Sequence, residues 1–157
     1  MIDDVDRKIL NFLQDDARIS NAELARRVGM VPSGVLERVK KLEERGLIRG
    51  YQARLDARQL GSGLVAFAFV KSDDRVGGVE TARSLAGIPE VQEVHHIAGE
   101  DCYLIKIRVA DVEALGRLLR EKVGVIPAIR STRTTIVMET LKESATVLIP
   151  GGGDDAG

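Results

Sequence analysis

Three residues, Gly29-Met30-Val31, separate two short stretches with helical spacing, and no other feature restricts the possible folds as tightly. Upstream, Ser20-Asn21-Ala22-Glu23 has the form of a capping box: the Ser20 hydroxyl can take an orphan amide of the first turn, and Glu23 can reach back. The helix it starts runs to about Val28, with Leu24 and Val28 inward. Gly29 stops it, because glycine adopts the left-handed conformation after a helix without steric penalty. Downstream, Pro32 suits a first helical turn, and Val35, Val39 and Leu42 recur at i, i+4, i+7 as a buried face. Arg38, Lys41 and Arg45 lie at i, i+3, i+7 on another face. A preceding helix, capped by Asp3 or Asp4, carries Val5, Ile9, Phe12 and Leu13 on one side and ends at Asp15-Asp16-Ala17-Arg18. Two helices joined by a short glycine-containing turn form the helix-turn-helix pattern.

That spacing fits a plain three-helix bundle as well as a DNA-binding unit, and charge separates the two. The formal net charge of the chain is −1. Within 26–58, however, nine basic residues (Arg26, Arg27, Arg38, Lys40, Lys41, Arg45, Arg49, Arg54, Arg58) face four acidic ones (Glu37, Glu43, Glu44, Asp56). Phosphate binding needs a local basic patch rather than a basic protein. The second helix of such a pair enters the major groove and reads base edges from its N-terminal half. Here that helix offers Ser33, Gly34, Glu37, Arg38, Lys41 and Arg45 as the candidate DNA-binding residues, with Ser33 and Arg38 able to bond base or phosphate.

The rest of the chain changes period. Residues 64–70 form a continuous apolar run, the mark of a strand covered on both faces. A helix follows over 77–86, a strand over 91–98, a turn at Gly99-Glu100-Asp101, and a strand over 102–109. Asp111 caps a second helix bearing Val112, Leu115, Leu118 and Leu119, and 130–138 is a β-branched strand. The order β-α-β-β-α-β is ferredoxin-like. The fold expected is therefore α+β: a helix-turn-helix followed by a ferredoxin-like βαββαβ domain. With both helices on one face of the sheet, the apolar residues of 64–70 leave a second face to cover, and a second copy packed sheet to sheet would do so. The segment 47–55 reads as extended, with a turn possible at Gly50, and 56–63 ends in Gly-Ser-Gly, a linker composition.

No apolar run reaches the roughly 20 residues needed to span a bilayer, and no signal-peptide pattern opens the chain. A single cysteine, Cys102, excludes an intrachain disulfide. These features point to the cytoplasm and away from a membrane. An enzyme is a competing reading, since His95, His96, Glu100, Asp101 and Cys102 are acid–base and metal-ligand types. Adjacent strand residues point to opposite faces, so His95 and His96 cannot easily share a metal. No cofactor, metal site or catalytic residue is expected.

Several blocks resemble the Lrp/AsnC, or feast/famine, regulators. They are Val5-Asp6-Arg7-Lys8-Ile9-Leu10, Ser20-Asn21-Ala22-Glu23-Leu24-Ala25, and the stretch from Val35-Leu36-Glu37-Arg38-Val39 through Leu47-Ile48-Arg49-Gly50-Tyr51. His96-Ile97-Ala98-Gly99-Glu100-Asp101-Cys102-Tyr103 and Arg130-Ser131-Thr132-Arg133-Thr134-Thr135-Ile136-Val137 continue the likeness. The resemblance runs over about 2–148. It implies a winged-type helix-turn-helix at 1–50 (DNA binding), a linker strand at 51–63 and a ferredoxin-like domain at 64–148 (effector binding and oligomerisation); the Gly- and Asp-rich 149–157 is expected, from its composition, to be a disordered tail. It implies a homodimer that assembles into an octamer or other higher homo-oligomer. It also implies a double-stranded DNA partner and an amino acid or similar small-metabolite effector bound by Ala98, Gly99, Glu100, Asp101 and Cys102, with Thr132, Thr134 and Thr135 nearby. The sequence departs from the family at Val31, where a capping Ser is common, at Gly34 in the first turn of the recognition helix, and at Ala98, where a hydroxyl is common. Some sirohaem decarboxylases share the two-domain architecture; a haem-like absorbance would favour that alternative. A third reading is an assembly module with an empty ligand site.

Overall fold

The computed structural model describes residues 1–150, which divide into two compact units: 1–54 with 143–150, and 55–142. The first contains α1 (Asp4–Asp15), α2 (Asn21–Val28) and α3 (Pro32–Glu44). Ile9, Leu24, Ala25, Val35, Val39 and Leu42 form its core. Ser20 caps α2 through its hydroxyl, which accepts from the Glu23 amide at 3.1 Å. The reciprocal half of that expected box does not form, because the Glu23 carboxylate instead accepts from Arg26 and Arg27. A complete box forms at α1, between Asp3 and Asp6. Gly29 has the left-handed φ of 71° that ends α2. Val31 gives α3 no side-chain cap.

The last described residues return to this unit. Gln14 donates to the Val147 carbonyl at 3.0 Å and accepts from the Val147 amide at 2.7 Å; Arg7 donates to the Pro150 carbonyl, and Arg54 to that of Glu143. The sequence reading carries the second domain to 148; the Gln14 bonds to Val147 bring the end of that stretch against α1. The expected tail at 149–157 lies beyond the described residues from 151 onward.

The second unit is a four-stranded antiparallel sheet in the order β2-β3-β1-β4, built from β1 (Leu64–Ser72), β2 (Val91–His96), β3 (Tyr103–Val109) and β4 (Ile129–Ile136). Helices α4 (Glu80–Ala86) and α5 (Val112–Leu118), the latter running into a π-helical turn at Leu119–Val123, supply Leu85, Leu115, Leu118 and Val123 to a core shared with Ala66, Ala68, Val70, Ile105 and Ile107. The order of elements is the ferredoxin-like one read from the sequence. Helix α4 starts later than expected, because the chain first turns at 75–78, where the Gly78 amide bonds the Arg75 carbonyl. No strand forms at 51–63 among the described residues; an extended segment needs a hydrogen-bonded neighbour to become one, and the Asp56 carboxylate instead organises a turn by accepting from the amides of Arg58 and Gln59.

Candidate DNA interface and effector turn

Burial of Val35, Val39 and Leu42 fixes the rotation of α3 and turns Ser33, Leu36, Glu37, Lys40, Lys41 and Glu44 outward. Three of the six DNA-binding candidates, Ser33, Glu37 and Lys41, lie on this exposed side. Gly34 and Arg38 are half-buried on the flank toward α1, and Arg45 is exposed, with a 3.4 Å contact from its guanidinium to the Met1 carbonyl. The sequence reading omitted Lys40 and Leu36. Both follow from Ser33 by helical spacing, at i+7 and i+3, once the buried face is known.

Most cations here already hold an anion. Arg26 and Arg27 flank Glu23, whose carboxyl their hydrogen bonds pull down to about 2. Lys41 pairs with Glu37 at 2.7 Å and, by that hydrogen bond, holds its carboxyl below the usual range. Lys40 lies 3.8 Å from Glu44. Exposed pairs of this kind are screened by solvent and contribute little, so a phosphate can displace the carboxylate. Arg38 is held more firmly. It bonds Asp3 at 2.7 Å and Asp6 at 2.8 Å, and Asp6 is buried.

In the second unit, residues 98–102 form the turn between β2 and β3, closed by the Ile97 amide on the Cys102 carbonyl at 3.0 Å. The Cys102 amide bonds the Val70 carbonyl at 2.9 Å, which ties the turn to β1. Gly99 takes a φ of 125°, a conformation that favours glycine, and open space surrounds it. Ala98 and Glu100 are exposed. Asp101 pairs with Arg133 of β4 at 3.2 Å, and the Arg133 guanidinium lies 4.2 Å over the Phe69 ring of β1. The Cys102 sulfur sits against the backbone of Ser72.

The three threonines do not gather at one place. Register puts Thr132 opposite Val70 and Thr134 opposite Ala68, on the helix-covered side of the sheet, whereas Thr135 faces Phe67 on the other side. Strand alternation forbids a single pocket lined by all three. Arg133, which pairs with Asp101, and Phe69 beneath its guanidinium were not among the effector-binding candidates. Arg133 was visible as the one cation within a run of hydroxyls, but only the register shows which face it shares.

His95 pairs with Glu93 at 3.0 Å, while His96 packs its ring 5.3 Å from that of Tyr103. Tyr103 is buried and donates to Asp74 at 2.9 Å; Thr81, also buried, donates to Asp74 at 2.7 Å. This anchor joins β3, α4 and the loop after β1.

Residues 2–49 match the winged helix-turn-helix DNA-binding family, and residues 65–147 match the Lrp/AsnC ligand binding domain. The leucine-responsive regulatory protein of Escherichia coli strain K12 is 40% identical over 150 residues, covering 94% of this chain and 92% of that protein. A transcriptional regulator from Neisseria meningitidis in complex with L-methionine superposes with a TM-score of 0.88 at 29% identity, over 94% of this chain and 97% of that one. A feast or famine regulatory protein from M. tuberculosis complexed with L-methionine gives 0.86 at 34% identity, over 94% and 99%. With both units matched in order and a 40% identical relative along nearly its whole length, the chain belongs to the Lrp/AsnC family of DNA-binding transcriptional regulators.

Proposed function

We propose that this regulator binds specific duplex DNA sites through the outward side of α3, as a dimer or higher homo-oligomer, and that an amino acid or similar small metabolite bound at the 98–102 turn modulates it. Ser33, Glu37, Lys40 and Lys41 form the DNA-facing side; Arg45 adds charge at its end. The effector takes its place by Gly99, Glu100 and Asp101, with Arg133 as the nearest cation.

The pairing of Asp101 with Arg133 beside an open glycine turn carries the effector reading. A zwitterionic amino acid has one group for each partner: its ammonium suits the carboxylate, and its carboxylate suits the guanidinium. Two structural relatives hold L-methionine, which supports this ligand class. Calorimetry with the twenty common amino acids tests the reading. Heat on binding at least one of them, abolished by Gly99→Asp, is the expected result. Absence of binding, or undiminished binding by the variant, reduces the turn to a structural hairpin.

A further inference from the structure

Arg38 has the side chain that would fork onto a guanine, yet its geometry faces inward. The capping box of α1 uses two carboxylate oxygens: Asp3 Oδ1 accepts from the Asp6 amide at 2.8 Å, and Asp6 Oδ2 accepts from the Asp3 amide at 3.2 Å. The two oxygens left over, Asp3 Oδ2 and Asp6 Oδ1, both accept from a single Arg38 nitrogen, Nη1, at 2.7 and 2.8 Å. Every carboxylate oxygen of the box therefore has a partner, and the box is cross-linked to α3. The Arg38 side chain is only 31% exposed and that of Asp6 12%. Both carboxylates favour the charged guanidinium; for Asp3, its bond from the Asp6 amide and then that from Arg38 hold the carboxyl below its ordinary value.

The helix that receives this cross-link is weak at its start. Val31 supplies no cap, and Gly34 sits in the first turn, where glycine costs roughly 1 kcal/mol against alanine. Local propensity thus does little to hold the N-terminal half of α3, which presents Ser33 and Glu37. The bond from Arg38, one turn further on, ties that half to α1.

We propose that Arg38 is a positioning residue: through the Asp3–Asp6 box it sets the placement of α3 on α1, and it strengthens binding to every DNA sequence alike without choosing bases. This rests on α3 being the reading helix. Removing a base reader relaxes preference at one base pair, whereas removing a positioning residue lowers affinity across sequences. Deleting either member of a coupled pair has similar effects, and deleting both adds little.

The test uses the full chain and a DNA site selected by the wild type from random duplexes. Affinity for that site and for each of its single base-pair substitutions is measured for wild type, Arg38→Ala, Asp6→Asn and the double variant. Far-ultraviolet circular dichroism checks that each is folded, and Asp3→Asn replaces any variant that is not. We expect Arg38→Ala and Asp6→Asn each to weaken the selected site on the order of tenfold, with an unchanged base-preference profile and a double variant no more than about twofold weaker than either single one. Loss of preference at one base pair in Arg38→Ala alone overturns the proposal, as does wild-type affinity in Asp6→Asn. Failure of the wild type to select any DNA is a different outcome, which defeats the DNA-reading role of α3 itself.

Discussion

Lys40 stands on the outward side of α3, and its 3.8 Å contact with Glu44 is too exposed to keep it from a phosphate. Each phosphate neutralised by a cation releases condensed counterions, so affinity falls with salt in proportion to the number of such contacts. Lys40→Ala should weaken all duplexes evenly and reduce the slope of log affinity against log salt by about one. An unchanged slope in anisotropy titrations would remove Lys40 from the interface. The Asp74 anchor makes a second prediction at this scale. Tyr103→Phe removes one of the two hydroxyls donated to Asp74 and should cost about 1 kcal/mol, read from the urea midpoint. The hydrogen bond from Thr81, against burial and with help from Tyr103, holds the Asp74 carboxyl below its ordinary 3.8. A depressed carboxyl contributes stability that is present above pH 3.8 and lost as pH falls through the folded value. Burial and the Asp74 carboxylate push the Tyr103 phenol up to about 12, so its contribution persists below pH 10 and fades as pH rises toward 12. Asp74→Asn should flatten the acid limb of a stability–pH curve; a limb of unchanged steepness would assign acid unfolding to other carboxylates.

At the scale of elements, α3 offers a direct repair. Val31 is exposed and already has the extended N-cap backbone, φ −78° and ψ 147°. Val31→Ser supplies the missing acceptor and should stabilise the protein by about 1 kcal/mol in thermal or urea unfolding; no gain would mean that tertiary contacts already satisfy the helix start. The elements also show what sequence reveals. Helical spacing located α1 to α3, since burial of Val35, Val39 and Leu42 follows directly from it, whereas β1 was marked by an unbroken apolar run that does not say which of its residues face the helices. Side-chain partnership was less legible. Glu23 had the spacing of a box but two arginines closer to hand, while the Asp3–Asp6 box uses an aspartate where the usual pattern has glutamate or glutamine. Arg38 read as a free basic residue, since its two aspartates lie more than thirty positions away. The threonines of β4 read as one cluster until pairing with β1 put Thr135 across the sheet from Thr132 and Thr134.

For the whole molecule, the side of the sheet away from α4 and α5 carries half-buried Phe67 and Phe69, the latter beneath Arg133. Sheet-to-sheet association of two copies would cover them. Sedimentation should therefore show a dimer or larger species at micromolar concentration, and Phe67→Asp should shift it toward smaller ones; a wild-type monomer would overturn the dimer. Two α3 helices in a dimer then call for half-sites near a whole number of DNA turns apart.

The first unit also closes a loop. Its two segments, 1–54 and 143–150, are joined only through everything between them, and Arg54 meets Glu143 at 3.1 Å where the loop begins and ends. When 55–142 is folded, its ends are fixed and bringing 143–150 back to Gln14 costs little entropy. When 55–142 is unfolded, the same return must close a long flexible loop, at a penalty that grows with the logarithm of its length. Docking of 143–150 on the DNA-binding unit is thus thermodynamically linked to the folding of the ligand-binding unit, and whatever holds the second unit folded also tightens the first, through chain connectivity alone.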